Sequence, residues 1–141
     1  MRFLNKTAMV TGAGKNIGKQ IALDFAREGA NVVVCDMNEE NTLATVAEIE
    51  AMGGKAMAAV CDVRDREKVF AYVDEAKKRF GGVDILVNNA GGSALLLNKL
   101  TSFVDAEQET LDFVLDVNIK GAFNCAQAVL PSMIEKRWGT D

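Results

Sequence analysis

Short continuous apolar runs alternate along this chain with longer stretches in which apolar residues recur at helical spacing. Four such runs, at residues 7–11, 32–35, 56–61 and 83–87, predict strands. Their continuous apolar character, with many β-branched residues, is typical of parallel strands that are covered on both faces. The runs therefore predict a sheet that lies inside the molecule with helices on either side.

Helical periodicity fills the segments between these runs. A first helix is predicted from residue 15 to about residue 28, and a long last helix from about residue 107 to residue 137. The alternation predicts an α/β fold with a doubly wound parallel sheet and right-handed crossovers. The predicted inward stripes of the first three helices are Ile17, Ile21, Ala22 and Phe25, then Leu43, Val46 and Ala47, then Val69, Tyr72, Val73, Ala76 and Phe80.

A glycine-rich loop joins the first predicted strand to the first predicted helix, with Gly12, Gly14 and Gly18 in it. In such a unit the first glycine allows a tight turn, the second lets the backbone approach a pyrophosphate, and the third lets the helix pack closely. The helix N-terminus attracts the phosphates. An ordinary glycine-rich turn is the alternative, but the position between strand and helix favours a dinucleotide site and a Rossmann-type sheet.

An acidic residue, Asp36, directly follows the second predicted strand, and Met37 comes next. Its carboxylate is expected to accept hydrogen bonds from the adenosine ribose and to repel a 2′-phosphate. The alternative is an aspartate that caps the next helix. Lys15 in the glycine loop would attract a 2′-phosphate, but Asp36 is the more direct discriminator. The sequence therefore favours NAD as the cofactor and leaves NADP possible.

Composition and charge narrow the classes of partner. The net charge is −4, which argues against nucleic acid because no basic stripe is available to neutralise phosphates. No apolar run approaches the roughly 20 residues of a membrane span, and residues 1–6 lack the apolar segment of a signal peptide. A cytoplasmic protein without a membrane partner is expected.

The residue types that are present limit the chemistry. The chain has no histidine, which excludes Ser-His-Asp hydrolysis and histidine general bases. Cys35, Cys61 and Cys125 lie far apart without paired spacing, so apolar packing is expected rather than a disulfide or a metal site.

Four motifs in order resemble those of the short-chain dehydrogenase/reductase family, with 3-oxoacyl-carrier-protein reductases among the most similar members. Residues 11–18, TGAGKNIG, resemble the family's TGxxxGxG loop except at Asn16, where glycine is usual, and this departure is expected to tighten or redirect the loop. The resemblance implies adenine contacts at Asp62 and Val63. The remaining implied cofactor-binding residues are Lys15, Asn16 and Ile17 in the loop and Asn89, Ala90 and Gly91 of the NNAG motif at residues 88–91.

The resemblance also implies the reaction: hydride transfer between a nicotinamide and a small-molecule alcohol or ketone. Asn118 matches the family's helix asparagine, which helps to organise a catalytic water and lysine; a structural amide is the alternative. The family's serine and Tyr-x-x-x-Lys pair are not matched, because Tyr72 is the only tyrosine and is followed four positions later by Ala76. Residues 1–141 are therefore expected to form an incomplete dinucleotide-binding domain, with strand order 3-2-1-4, that stops before a fifth strand and binds cofactor without turnover.

Two other functions stay open at this point: a non-catalytic dinucleotide-binding module, and a structural remnant that binds nothing.

The last predicted helix is apolar on more than one face, and helices of that kind are buried. In the family this helix packs against its equivalent in a second subunit, so a homo-oligomer through it is expected. Pro131 is expected to kink it or mark its last turns. Asn118 is expected on its inward stripe, together with Leu111, Val114, Leu115, Ala122 and Cys125.

Overall fold

Four parallel strands form one sheet in the order β3-β2-β1-β4. They are β1 (Thr7–Thr11), β2 (Asn31–Asp36), β3 (Lys55–Val60) and β4 (Ile85–Val87). The computed structural model describes residues 1–140. The predicted Rossmann-type sheet and its 3-2-1-4 order are confirmed, and β4 is shorter than expected.

Five helices connect and follow these strands: α1 (Asn16–Arg27), α2 (Glu39–Ala51), α3 (Arg66–Phe80), α4 (Gln108–Leu115) and α5 (Gly121–Lys136). A π-helical turn, Asp116–Lys120, joins α4 to α5, so the predicted long last helix is present with an extra residue in its middle. Two short 3-10 helices, Ala94–Leu97 and Phe103–Asp105, lie in the loop after β4.

Each face of the sheet is covered by its own apolar layer. Met9, Val33 and Met57 pack on one face against α3 and α5, and Val10 and Val34 pack on the other face against α1 and α2. Because both faces are buried, inward and outward positions of each strand must be apolar. This explains the continuous apolar runs in the sequence.

The predicted inward face of α1 is wrong in part. Ile17 is 70% exposed, and the buried positions are Gly18, Ala22, Leu23 and Ala26. Small residues bring this helix close to the strands, which places the bulky Ile17 outside the layer. Ile17 therefore belongs to the loop side of the helix and not to its packing face.

The inward face of α2 also differs from the prediction. Leu43 is half exposed, whereas Thr42, Thr45 and Ile49 are buried. A threonine hydroxyl can be buried on a helix when it donates to a backbone carbonyl. Thr42 Oγ1 donates to Asn38 O at 2.7 Å, so hydroxyl pairing outweighs the apolar pattern here.

The predicted inward stripe through Asn118 is wrong in part: Cys125 is buried, but two other members are not. Asn118 is exposed, and so is Leu115. The π-helical turn shifts the helix face, so that extending the periodicity of α4 into α5 gives the wrong side. The positions that are buried in this segment are Thr110, Val117, Gly121, Cys125, Val129 and Met133.

Within residues 1–140, the outer edge of β4 is paired by Thr140 alone, which forms a single parallel bridge with Ile85. Leu86 N donates to Thr140 O at 2.9 Å, at the place where a fifth strand was expected. The Lys136 ammonium, 3.1 Å from the buried Asp84 carboxylate, ties α5 to the same edge.

Pro131 lies inside α5, near its end, as expected. Within residues 1–140, none of the helices is long and apolar enough to span a membrane.

Candidate functional site

A cleft of about 410 Å³ opens at the carboxyl ends of the four strands. Twelve of the thirteen predicted cofactor-binding residues line it, and only Gly14 does not; Asn118 lies outside the lining as well. Ligands bind at this end of open parallel sheets. The lining residues among the predictions are Gly12, Lys15, Asn16, Ile17, Gly18, Asp36, Met37, Asp62, Val63, Asn89, Ala90 and Gly91.

The glycine loop has the tight geometry that its sequence predicts. Gly12 adopts a φ of +64°, in the left-handed region that glycine enters at no steric cost. A Cβ atom on Gly18 would collide with the carbonyl oxygen of Gly12 and lie 2.5 Å from Asn89 Nδ2. Gly18 therefore lets α1 start directly against the loop.

Asn16 keeps the backbone conformation that a glycine would have at this position. Its φ is 52°, in the left-handed region, where asparagine is among the best tolerated of the other residues. The expected tightening or redirection of the loop is therefore not needed to accommodate Asn16.

Gly14 packs closely against β2 and α2. A Cβ atom there would lie 2.9 Å from both Asn41 Cβ and Asp36 Cγ. Gly14 N donates to Asp36 Oδ2 at 3.0 Å, and Gly14 O accepts from Thr45 Oγ1 at 3.4 Å. The close packing of Gly14 against β2 and α2 thus leaves no room for a side chain, and its approach to a pyrophosphate stays a prediction.

Thr11 and Asn89 join the glycine loop to the segment after β4. Thr11 Oγ1 accepts from Asn89 N at 3.0 Å and from Ala90 N at 2.9 Å. Asn89 Nδ2 donates to Thr11 O at 3.0 Å and to Gly12 O at 3.3 Å. The Asn89 amide is therefore turned toward protein backbone and shapes the cleft by holding these two loops together. Sequence reasoning missed Thr11, although its place before Gly12 was a signal.

The Asp36 carboxylate accepts hydrogen bonds from the protein backbone and also lines the cleft. It accepts from Gly14 N and, through Oδ1, from Asn38 N at 2.9 Å. A carboxylate offers about four acceptor sites, so these two bonds leave capacity for a ligand. The cap of α2 is Asn38, whose side chain accepts from Asn41 N, so the alternative of Asp36 as helix cap does not apply.

Lys15 is exposed and has no ion-pair partner among residues 1–140. It is also the N-cap of α1 and makes no side-chain cap hydrogen bond. The first N–H groups of a helix have no partner within the helix. The start of α1 therefore presents unpaired backbone donors and a lysine to the cleft, in contrast to α2 and α3, which Asn38 and Asp65 cap.

Asp62, two residues after the end of β3, is held by Arg64. The shortest contact between them joins Arg64 Nη2 to Asp62 Oδ2 at 2.6 Å. Burial works to raise the pKa of Asp62, but the hydrogen bonds from Arg64 outweigh it and hold that pKa below its usual value. Asp62 is therefore an ionised acceptor at the wall of the cleft.

Asn118 fastens the π-helical turn to the segment after the NNAG motif. Its Nδ2 donates to Gly92 O at 2.6 Å and to Val114 O at 2.8 Å, and its Oδ1 accepts from Gly92 N at 3.2 Å. All of these partners are backbone groups. These contacts are of the kind expected for a structural amide, and the catalytic role of Asn118 stays a prediction.

Cys35 and Cys61, far apart in sequence, come together at the floor of the cleft. A hydrogen bond from the Cys35 thiol lowers the pKa of Cys61, and the same bond raises the pKa of Cys35, as does burial. Cys61 Sγ also lies 3.2 Å from Asp62 O. Both thiols are buried as expected, but their proximity was not foreseen, because it depends on the register of β2 and β3.

The sheet order, the glycine loop and the cleft at the strand ends define a Rossmann-type α/β protein. The family model described as short chain dehydrogenase matches residues 6–140, and the chain belongs to this family. The family resemblance that the sequence motifs predicted is confirmed.

Relatives and solved structures agree with this membership. The oxidoreductase UcpA of Escherichia coli K12 is 43% identical over 139 residues, which cover 98% of this chain and 50% of that protein. The 3-oxoacyl-acyl-carrier-protein reductase FabG of Thermotoga maritima is 39% identical, with 99% and 55% covered. The chain spans about half the length of the curated relatives it matches.

Two solved dehydrogenases have the same fold over nearly the whole chain. The structure of NAD+-bound xylitol dehydrogenase superimposes with a TM-score of 0.89 at 36% identity, covering 99% of this chain and 52% of that one. A 7α-hydroxysteroid dehydrogenase in complex with NADH and 7-oxo glycochenodeoxycholic acid gives 0.87 at 38% identity, with 96% and 51% covered.

Proposed function

We propose that this chain is the nicotinamide dinucleotide-binding part of an oxidoreductase that interconverts a small-molecule alcohol and ketone, with NAD(H) as the preferred cofactor. The observation that carries the proposal is the Asp36 carboxylate beside an uncapped helix start and a glycine loop, all on one cleft. The NAD(H)-bound dehydrogenases with the same fold support it.

The residues of the cleft fit a dinucleotide. The unpaired N–H groups at the start of α1 and the side chain of Lys15 are suited to the pyrophosphate. Asp36 and Met37 would take the adenosine ribose, and Asp62 and Val63 the adenine. Ala90 and Gly91, on the β4 side, would take the nicotinamide end. When bound, the nicotinamide supplies or accepts the hydride, and the protein supplies position and charge.

The preference for NAD over NADP rests on charge. The Asp36 carboxylate would repel a 2′-phosphate at short range, and its two protein hydrogen bonds hold it in place. Lys15 is exposed, so its attraction for the same phosphate is screened by solvent. Asp36 is therefore the stronger discriminator.

Binding without turnover is the second part of the proposal. The sequence contains no Tyr-x-x-x-Lys pair. Its single tyrosine, Tyr72, belongs to α3 and packs against the core. Asn118 would take part in catalysis only by way of a lysine or water, and its present partners are backbone groups. A non-catalytic dinucleotide-binding module is the candidate that this observation favours next.

A fluorescence titration with NADH and NADPH tests the cofactor assignment. We expect saturable binding of NADH, at least about tenfold tighter than that of NADPH. Asp36→Ala should bring the two dissociation constants within about threefold of each other, because the repelling charge is lost. Asp24→Ala, on the solvent side of α1, is the control and should leave the ratio unchanged. An unchanged ratio in Asp36→Ala would show that the ribose assignment is wrong.

An assay of NADH oxidation on the same protein tests whether it turns over a ketone. We expect no NADH oxidation with added ketones at saturating cofactor. Measurable ketone reduction by the 141-residue chain would overturn the proposal of binding without turnover. Absence of NADH binding would overturn the cofactor proposal and favour a structural protein that binds nothing.

We also propose a cytoplasmic homo-oligomer without a nucleic acid or membrane partner. Exposed apolar side chains on α5, such as Phe123 and Ile134, support self-association, and the net charge of −4 argues against nucleic acid.

A further inference from the structure

A second groove, of about 440 Å³, lies between α4 and the loop after β4, and we call it the α4 groove. Most of its wall is apolar, with Phe103 and Ala106 from the loop and Leu111 and Val114 from α4. Of residues 1–140, none lines both this groove and the cofactor cleft. Its volume is in the range of small-molecule sites. The α4 groove is therefore a candidate site separate from the dinucleotide cleft.

The lining of the α4 groove includes a buried hydroxyl group that has no partner. Thr110 lines the groove and is 3% exposed. Within residues 1–140, its Oγ1 is the single buried side-chain oxygen or nitrogen without a hydrogen bond. A buried hydroxyl in this state costs free energy, because it has lost water and gained nothing in return. A ligand that pairs with Thr110 would recover that cost.

The start of α4 explains why Thr110 lacks the usual internal partner. A threonine on a helix commonly donates to the carbonyl four residues earlier, as Thr42 does to Asn38 O at 2.7 Å. The residue four before Thr110 is Ala106, which precedes α4 and has an extended backbone, with a φ of −69° and a ψ of 128°. Its carbonyl is not aligned with the helix, so the chain does not supply the acceptor.

Thr110 is also distinct from the other hydroxyl of the groove. Thr101 is the second lining residue with a polar side chain, but it is exposed and its Oγ1 donates to Ser102 O at 3.3 Å. Of residues 1–140, none with a charged side chain lines the groove. An ionised ligand would therefore be desolvated there without a compensating charge. The groove offers an apolar surface with a single unpaired polar group.

We propose that the α4 groove binds a small apolar molecule that carries one hydroxyl group, which pairs with the Thr110 hydroxyl while the rest of the molecule lies against the apolar walls. A hydroxyl can both donate and accept, so either direction of the bond satisfies Thr110. The inference does not depend on the proposed function, since the groove and the cofactor cleft share no lining residue among those described.

The test compares 2-naphthol with naphthalene, which has the same rings without the hydroxyl. Both are titrated into the 15N-labelled chain, and the shifts of the amide signals of Thr110, Leu111 and Val114 give the location and the dissociation constant. We expect 2-naphthol to bind at least about fivefold more tightly, the effect of one hydrogen bond to a buried hydroxyl. In Thr110→Val, which removes the hydroxyl and nearly keeps the shape, the ratio should fall below about twofold.

Two further variants sharpen the comparison. Thr101→Val is the matched control, because it makes the same chemical change in the same groove at a hydroxyl that already has a partner, and it should keep the full ratio. Thr110→Phe fills the groove with a ring, so it should abolish the shifts for both compounds. Signals of β1 that stay in place would show that this variant is folded.

Every outcome bears on the inference. Equal affinity of the unchanged chain for the two compounds, or a full ratio in Thr110→Val, would overturn the pairing with Thr110. Shifts centred on Gly12 and Ala90 would place the ligand in the cofactor cleft and overturn the α4 groove as its site. Leu115, at the same groove, is 51% exposed, so a second copy of the chain is the other candidate occupant. Binding of 2-naphthol that weakens as the chain dimerises would favour that copy and overturn the small-molecule site.

Discussion

At the scale of single residues, Asn16 combines a strained backbone with a place at the mouth of the cleft. Its φ of 52° lies in the left-handed region, and the residue is the first of α1. A residue without a short polar side chain pays roughly 1 kcal/mol or more there, and glycine pays almost nothing. Asparagine thus combines a tolerated loop geometry with a polar group at the cleft.

We therefore expect Asn16→Ala to lower the free energy of unfolding by about 1 kcal/mol and Asn16→Gly to change it by less than about 0.5 kcal/mol. Urea denaturation at neutral pH measures both. The two variants are each other's control, because both remove the amide and only one restores backbone freedom. Equal destabilisation in both would mean that the side chain matters and the backbone conformation does not.

At the scale of elements, several contacts hold the glycine loop from outside. Thr45 of α2 donates to Gly14 O, and Asn89 after β4 donates to Thr11 O and Gly12 O. Hydrogen bonds from separate elements to one loop fix its backbone before a ligand arrives, which lowers the entropy lost on binding. The cleft is therefore formed by its neighbours as much as by its glycines.

The π-helical turn and the loop after β4 behave as one unit through Asn118, whose amide pairs with both backbone groups of Gly92. In Asn118→Asp the carboxylate would face Gly92 O and Val114 O, which it cannot hydrogen-bond when ionised. We expect amide hydrogen exchange at residues 91–98 to become at least about tenfold faster, the factor for a loss of roughly 1.4 kcal/mol in local stability.

Exchange is read by mass spectrometry, with residues 7–11 of β1 as the internal reference. Asn118→Ala, which removes the bonds without adding charge, should show a smaller increase. Unchanged exchange in both variants would mean that the loop after β4 is held by other contacts.

At the scale of the whole molecule, α4 and α5 carry a continuous apolar face that the rest of residues 1–140 leaves uncovered. Phe123 is 65% exposed and Ile134 is 71% exposed, and Leu115, Ile119 and Leu130 lie on the same side. Contiguous apolar surface of this kind marks interaction sites. A second copy of the chain presents the same face, and a two-fold interface is self-complementary.

We expect light scattering to give a mass near twice 15.2 kDa for the unchanged chain at micromolar concentration. Phe123→Glu should shift it to 15.2 kDa, because a carboxylate in the centre of an apolar interface is costly to desolvate. Lys78→Glu, on the exposed side of α3, is the control and should leave the mass unchanged. A monomer at every concentration would rule out this interface.

The sequence by itself determined the strands of the sheet and, with the family resemblance, their order and twelve of the nineteen residues that line the cleft. Apolar runs that alternate with helical stripes leave few topologies when crossovers are right-handed. The polar residues that follow strands, such as Asp36, Asp62 and Asn89, then meet at one edge, because the carboxyl ends of parallel strands lie together. Local patterns predicted the strands and the glycine loop, and the family resemblance supplied the residues after β3 and β4.

Only the tertiary structure decided which helix faces turn inward and which partners the polar groups choose. The π-helical turn moved Asn118 to the exposed side, Thr42 and Thr45 replaced Leu43 on the inner face of α2, and Arg64 paired with Asp62. The approach of Cys35 to Cys61 depends on strand register. The physical reason is common to all of these: hydrogen bonds and close packing between distant segments depend on exact distances, which periodicity along the chain does not contain.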